Sequence, residues 1–280
     1  MVQHGEYRAL VAPVAGPGRR RPAPARGGAA PRRACAGGAA RALAGALAVA
    51  GAAAGAGVGP AAAEEVVCRV ALVLALDVSS SVDADEDRLQ RQGLAGALTA
   101  PEVRAAFLAS DLPVALAAFE WSGRWNQSVI LDWRLIAAEA DLAQAAAEVA
   151  GSRRSTDQFP TAMGHALGHA STMLRQAPRC LRQTVDVSGD GINNDGFGPR
   201  LTYEAFPFEG ITVNGLVIEE GGAEAGDPAL RAWYREEVLL GPLAFLEVAE
   251  GFEDFERAMR RKLEREVGAQ AIGSLGDRRR

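Results

Sequence analysis

A chain of 280 residues with 35 Asp and Glu against 30 Lys and Arg has a formal charge of −5 at pH 7, and the imbalance is uneven. Residues 1–63 hold eight arginines and one acidic residue, so the remainder holds 22 basic and 34 acidic side chains. A body of that sign repels nucleic acid and anionic lipid, and it lacks the basic patch on which a nucleic-acid binder or a membrane-surface protein depends.

The first 63 residues read as a targeting region, not a folded domain. A basic stretch, PRRACAGGAARA, precedes the apolar run LAGALAVAGAAAGAGVG, and small residues follow in PAAAEE. Ala61 and Ala63 form the small-x-small pattern that a signal peptidase accepts, with cleavage before Glu64. The run is short and rich in Ala and Gly for a membrane span; the alternatives to an export signal are a disordered tail or an anchor. Export to the periplasm or beyond removes Cys35 and leaves Cys68 and Cys180 in an oxidising compartment.

From Val66 the run VVCRVALVLALD has no alternation and ends at Asp77, which predicts a strand buried on both faces. Residues 83–98 follow as a helix, with Asp83 at its N-cap and Glu86 three residues on. Residues 112–121 and 128–133 read as strands joined in a hairpin across SGRWNQ, and 134–150 as an Ala-rich helix. After the loop GSRRSTDQFP, Met163, Ala166, Leu167, Ala170, Met173 and Leu174 recur at helical spacing. Strands at 183–191, 210–220 and 243–249 follow, with helices at 227–239, where Pro sits in the first turn, and at 252–267. Residues 269–280 read as a flexible tail. The alternation predicts one α/β domain over residues 64–268: a doubly wound, mostly parallel six-stranded sheet with one antiparallel edge strand and helices on both faces.

Open α/β sheets bind ligands beyond the carboxyl ends of their strands. Asp77 ends the first strand and Asp190 the fourth, and Thr161 opens the helix before the fourth. Ser79 and Ser81 stand two and four residues after Asp77, and residues two apart in an extended segment point the same way. Two carboxylates and three hydroxyls form a hard oxygen set, suited to Mg²⁺ first and to Mn²⁺ or Ca²⁺ next. With at most two carboxylates against +2, the neutral hydroxyls add no further negative charge, and such an ion can still accept a carboxylate from outside.

DVSSS at 77–81, TAMGHAL from Thr161 and SGDG at 188–191 together resemble the von Willebrand factor type A domain, whose metal-ion-dependent adhesion site takes Asp-x-Ser-x-Ser, a Thr and an Asp from three loops. All five positions carry the matching residue. DVSGDGINN, FEWSG, VNGLVI and GPLAFLEVA are similar to an uncharacterised bacterial family of exported type A-like proteins, over about residues 66–267. The resemblance implies a Rossmann-like sheet of order 3-2-1-4-5-6 and a cation whose shell an acidic side chain of a protein partner completes. If the first and fourth strands are adjacent and parallel, Cys68 and Cys180 lie together at the opposite end of the sheet, close enough for a disulfide; two buried thiols are the alternative.

Other motifs carry less. His165 and His169 stand four apart, but Ala166 replaces the Glu of a zinc-protease helix, and both are expected in solvated or capping roles. DGINNDG places Ile192 where a calcium loop needs an oxygen. Asn193 and Asn194 are instead expected to support the metal loop at a partner-binding rim, with Asp195-Gly196 a plain turn. Glu120 and Trp121, at the end of the second strand, are assigned to the same rim; for them and for Trp125 the choice is between an interface anchor and a Trp folded over the sheet edge. A phosphatase of the haloacid-dehalogenase kind would need an acid at Ser79, and no serine-hydrolase elbow or nucleotide loop is present. The expectation is therefore a cation-dependent binding domain without enzymatic activity. A metal-dependent hydrolase or phosphatase using the same pocket is the alternative, and a metal-free scaffold the third reading.

Overall fold

Ten consecutive buried residues, Cys68–Asp77, make strand β1 at the centre of the molecule. The computed structural model describes residues 66–219 and 226–268; the expected targeting region and C-terminal tail lie outside the described residues. β2 (Val114–Ser122), β3 (Asn126–Ile136), β4 (Cys180–Gly189), β5 (Ile211–Ile218) and β6 (Leu246–Ala249) complete a six-stranded sheet of order β3-β2-β1-β4-β5-β6. Every pairing is parallel except β2 with β3. The chain reverses its direction of travel between β1 and β4, so the carboxyl ends of these two strands frame the crevice of a doubly wound sheet.

The two faces of β1 differ in size. Val70, Leu72, Leu74 and Leu76 point into a core closed by α1 (Ala84–Thr99), α2 (Pro101–Phe107), α3 (Glu139–Gly151) and α7 (Phe255–Val267). Ala71, Val73 and Ala75 point the other way, against α4 (Met163–Leu174) and α6 (Pro228–Trp233). A short α5 (Pro199–Ala205) follows β4. The Asp83 cap of α1 is a full capping box: its side chain accepts from the Asp85 and Glu86 amides, and the Glu86 side chain accepts from its own.

The elements depart from expectation in several places. α2 was not anticipated; Pro101 at its first turn restarts a helix after Ala100. β3 runs on to Ile136 because that residue pairs with Val114, so α3 begins at Glu139 and not at 134. β4 starts three residues early, at Cys180. The helix expected over 227–239 is α-helical only to Trp233 and continues as a π-turn over Tyr234–Val238.

At the amino end of the sheet Cys68 lies opposite Cys180 in the β1–β4 register, and the two form a disulfide with Cα atoms 4.4 Å apart. Arg69 beside it is buried and donates to the last carbonyls of two helices, Ala106 and Phe107 of α2 and Val267 of α7. The chain's one lysine, Lys262 of α7, is wholly buried, 3.1 Å from Asp186 of β4 and 2.9 Å from Glu266. Among the described residues no helix is long and apolar enough to cross a membrane.

Candidate metal centre

Asp77 ends β1 with no exposed surface, and its Oδ1 accepts the Ser79 backbone N–H at 2.8 Å. That bond turns the chain back on itself, as short acidic side chains do after a strand, and brings Ser79 and Ser81 over the strand end. Gln90 of α1 fixes the floor: its amide donates to the Asp77 carbonyl at 2.9 Å and its oxygen accepts the Ser188 hydroxyl at 3.1 Å, joining the ends of β1 and β4. Arg154, from the α3–α4 loop, donates to the Val78 and Ser79 carbonyls, each at 2.9 Å.

Thr161 arrives from another loop and is held by the segment after β4. Its N–H donates to Asn194 Oδ1 at 2.9 Å, while its carbonyl accepts from the Asn194 and Asp195 amides at 2.9 and 3.1 Å. Asn193 Oδ1 takes the Gly164 N–H in the first turn of α4 at 3.2 Å. The side-chain oxygens then run in a chain. Thr161 Oγ1 donates to Ser79 Oγ at 3.2 Å, Ser79 and Ser81 share a bond of 3.3 Å, and Ser81 donates to Asp190 Oδ1 at 3.0 Å. All five residues expected as ligands are thus brought together, from buried Asp77, Ser79 and Thr161 at the floor to half-buried Asp190 and exposed Ser81 at the mouth.

The electrostatics mark the floor. Burial first, and the Asp190 charge second, push the Asp77 carboxyl up to about 8. Asp77 Oδ2 is buried without a hydrogen-bond partner, and so is the hydroxyl of Tyr234. Two glycines admit that tyrosine. A Cβ on Gly215 would stand 2.9 Å from its ring, and one on Gly189 would stand 2.9 Å from its hydroxyl and 2.8 Å from Asp77 Oδ2. The π-turn therefore delivers Tyr234 across the sheet into the space beside Asp77. Among the described residues no three His, Cys, Asp or Glu side chains cluster as metal ligands, so a cation here would depend on hydroxyls together with two carboxylates. An orphaned carboxylate oxygen inside an all-oxygen set fits a hard divalent cation.

The rim differs from expectation. Glu120 and Trp121 are 1% and 0% exposed and take no part in it. Glu120 pairs with Arg91 and accepts the Ser155 N–H at 2.7 Å, bracing the α3–α4 loop. Trp121 packs in the core beneath α4, with its carbonyl accepting the Val78 N–H at 2.9 Å. Asn193 and Asn194 brace the Thr161 loop, and Asn194 is exposed. His165 is half-buried and stacks on Phe197 at 3.9 Å, and His169 packs on Phe119 at 4.8 Å. Asp195 is more than a turn residue, since it pairs with Arg124 at 2.7 Å. Gln90, Arg154 and Tyr234 were missed by sequence reasoning; the Gly189 and Gly215 gaps are a signal for Tyr234 that only becomes readable once the strands are aligned.

Residues 67–271 match the family described as a protein of unknown function, DUF1194. The chain belongs to this family. Solved structures similar to this DUF1194 domain include proximal thread matrix protein 1 of the mussel byssus, at 16% identity and a TM-score of 0.51 over 72% of this chain and 49% of that one. The pilus adhesin SpaC of Lactobacillus rhamnosus GG is similar at 13% identity and a TM-score of 0.50, over 73% and 31%. A von Willebrand factor type A protein of Catenulispora acidiphila has 18% identity and a TM-score of 0.47, over 71% and 42%. The DUF1194 chain thus spans half or less of these proteins, and at such identities the likeness to proximal thread matrix protein 1 and to SpaC is one of fold alone. No curated protein matches the chain.

Proposed function

We propose that the DUF1194 domain binds one divalent cation through Asp77, Ser79, Ser81, Thr161 and Asp190 and uses it to hold an acidic side chain of a protein partner. The observation that carries this reading is Asp77: a buried carboxylate oxygen with no partner, at the floor of five converging oxygen residues of which only two are acidic. Oxygen ligands favour Mg²⁺, with Mn²⁺ and Ca²⁺ as alternatives. The cation would supply the positive charge that makes Asp77 stable as a carboxylate. Two carboxylates balance a divalent ion, so an incoming carboxylate meets no excess of negative charge. The Cys68–Cys180 disulfide supports an exported protein, periplasmic or secreted.

The test is thermal melting of the purified protein in EDTA, Mg²⁺, Mn²⁺ and Ca²⁺, for wild type and Asp77→Ala. A cation at 100 times its dissociation constant stabilises the fold by about 2.7 kcal/mol. The rise should occur in wild type and vanish in the variant. No response to any of the three cations, alone or with an acidic peptide, would overturn the reading. Turnover of phosphoesters or peptides that is lost with Asp77→Ala would replace it with the hydrolase.

A further inference from the structure

Nine large apolar side chains are exposed among the described residues, and three of them surround the oxygen cluster. Trp125, 84% exposed, stands in the β2–β3 hairpin; Phe159, 41% exposed, lies two residues before Thr161; Ile192, 50% exposed, lies two residues after Asp190. Burying such groups on a partner releases water that they now order, and a Trp at the centre of an interface is a common anchor.

These side chains sit on braced loops. The Phe159 carbonyl accepts the Ser80 N–H at 2.8 Å, between Ser79 and Ser81. The Pro160 carbonyl accepts the Gly123 N–H at 2.6 Å, and Gly123 has φ of +38°, where a Cβ would stand 3.0 Å from Phe159 Cβ. The hairpin is tied to the Ile192 loop by Arg124 and Asp195, and Trp125 meets the His165 ring edge-on at 6.1 Å. His165 is itself stacked on Phe197. Trp125 thus keeps one ring contact, to His165, and offers most of its surface to a partner.

With a divalent ion bound, the charges of Asp77 and Asp190 are offset, Arg124 is paired with Asp195, and Arg154 adds a positive charge beside the floor. The mouth is then less negative than a body whose residues after 63 carry 34 acidic groups against 22 basic. A partner must then present a carboxylate at the centre and apolar groups around it. The geometry points to a protein segment in which an Asp or Glu is flanked by aromatic or branched aliphatic residues, with the acid at the cation and its neighbours on Trp125, Phe159 and Ile192. This inference rests on the cation reading above.

A random dodecapeptide display library, panned on the intact Mg²⁺-loaded protein and eluted with EDTA, tests it. The eluted sequences should share an acidic residue with a large apolar neighbour. A synthetic peptide carrying the most enriched sequence should bind Trp125→Ala and Phe159→Ala about tenfold more weakly, while the Mg²⁺-dependent rise in melting temperature stays unchanged in both variants. Acidic sequences without apolar neighbours, or equal binding by the variants, would overturn the rim and leave the cation site standing. So would the absence of enrichment on a protein that melts higher in Mg²⁺, or binding to phosphatidylcholine vesicles in place of peptides. A protein with no cation response, or an Asp77→Ala variant that selects the same peptides, would instead remove the reading beneath it.

Discussion

Asp77 is held where a carboxylate is poorly solvated, and this makes its charge a stability term. Without a cation, its folded value of about 8 stands above the ordinary 3.8. A raised folded value means that the protonated form favours the fold; that contribution is complete below about 4 and is lost as pH rises through about 8. Asp186, also raised by burial and then by Glu266, acts in the same direction, so the Asp77 part must be read by difference. In EDTA, Asp77→Asn should melt above wild type by a margin that widens as pH climbs across this window. Mg²⁺ should raise wild type and leave the variant where it is; a margin independent of pH would show that Asp77 is charged throughout. Tyr234 yields a second test. Tyr234→Phe keeps the ring between Gly189 and Gly215 and deletes a buried hydroxyl whose own value is pushed up, so that it stays a donor. The variant should be at least as stable in EDTA and bind Mg²⁺ about fivefold more weakly by calorimetric titration, the worth of one hydrogen bond of about 1 kcal/mol. An unchanged affinity would exclude the hydroxyl from the site. The convergence of the five oxygen residues was legible because Asp77 and Asp190 follow apolar strand runs and because the three motifs, in that order, resemble a known site; the Asp-Ser turn alone is too common to mark one. Glu120 and Trp121 were misread because a strand end does not reveal how far a neighbouring loop overhangs it; here Arg154 and Ser155 close that space.

Elements were legible where burial alone dictates them and obscure where a partner does. β1 reads from its own unbroken apolar run, and α4 from its spacing. The last residues of β3 depend on pairing with β2, and the π-turn at Tyr234–Val238 depends on the two glycines of other strands. The attachment of α7 is likewise a matter of partners. Its Lys262 is buried between Asp186 of β4 and its own Glu266, and Asn214 of β5 donates to Glu266 at 2.7 Å. The helix pattern shows only an amphipathic segment with a lysine on it; of the two carboxylates that receive the charge, one comes from β4 and the other from the last turn of the helix itself. Lys262→Met retains the volume and leaves two carboxyls without their cation. Breaking a buried ion pair from one side costs about 3–5 kcal/mol, so this variant should lose most of its resistance to urea at neutral pH and regain part of it in acid, where Asp186, already raised by burial, takes up a proton. Asp186→Asn in the same background should restore stability, since it removes one of the stranded charges; failure of that rescue would show that packing, not charge, holds α7 to the sheet.

At the scale of the whole molecule the sheet has two ends with separate tasks. The disulfide closes the amino end of β1 and β4, and the oxygen cluster occupies their carboxyl end. β1 has ten residues from Cys68 to Asp77 inclusive, about 30 Å of strand at roughly 3.3 Å per residue. The two cysteines are 112 positions apart, and in the chain-entropy description a cross-link closing a loop of about that length restricts the unfolded chain by about 4–5 kcal/mol. Replacing both with Ala should lower stability by a few kcal/mol. The cation acts differently, by binding the native state. One effect works through the unfolded chain and the other through the folded site, and the residues concerned share no neighbours. Contributions separated by more than about 10 Å normally add to within about 0.5 kcal/mol. The Mg²⁺-induced gain in unfolding free energy, measured in urea, should therefore be the same with the disulfide intact and with Cys68→Ala and Cys180→Ala together. A gain that shrinks without the disulfide would mean that the amino end of the sheet sets the spacing between β1 and β4 at the cation, which is the one route by which the two ends could be coupled, because Gln90 already locks these strands to each other at the site through Asp77 and Ser188.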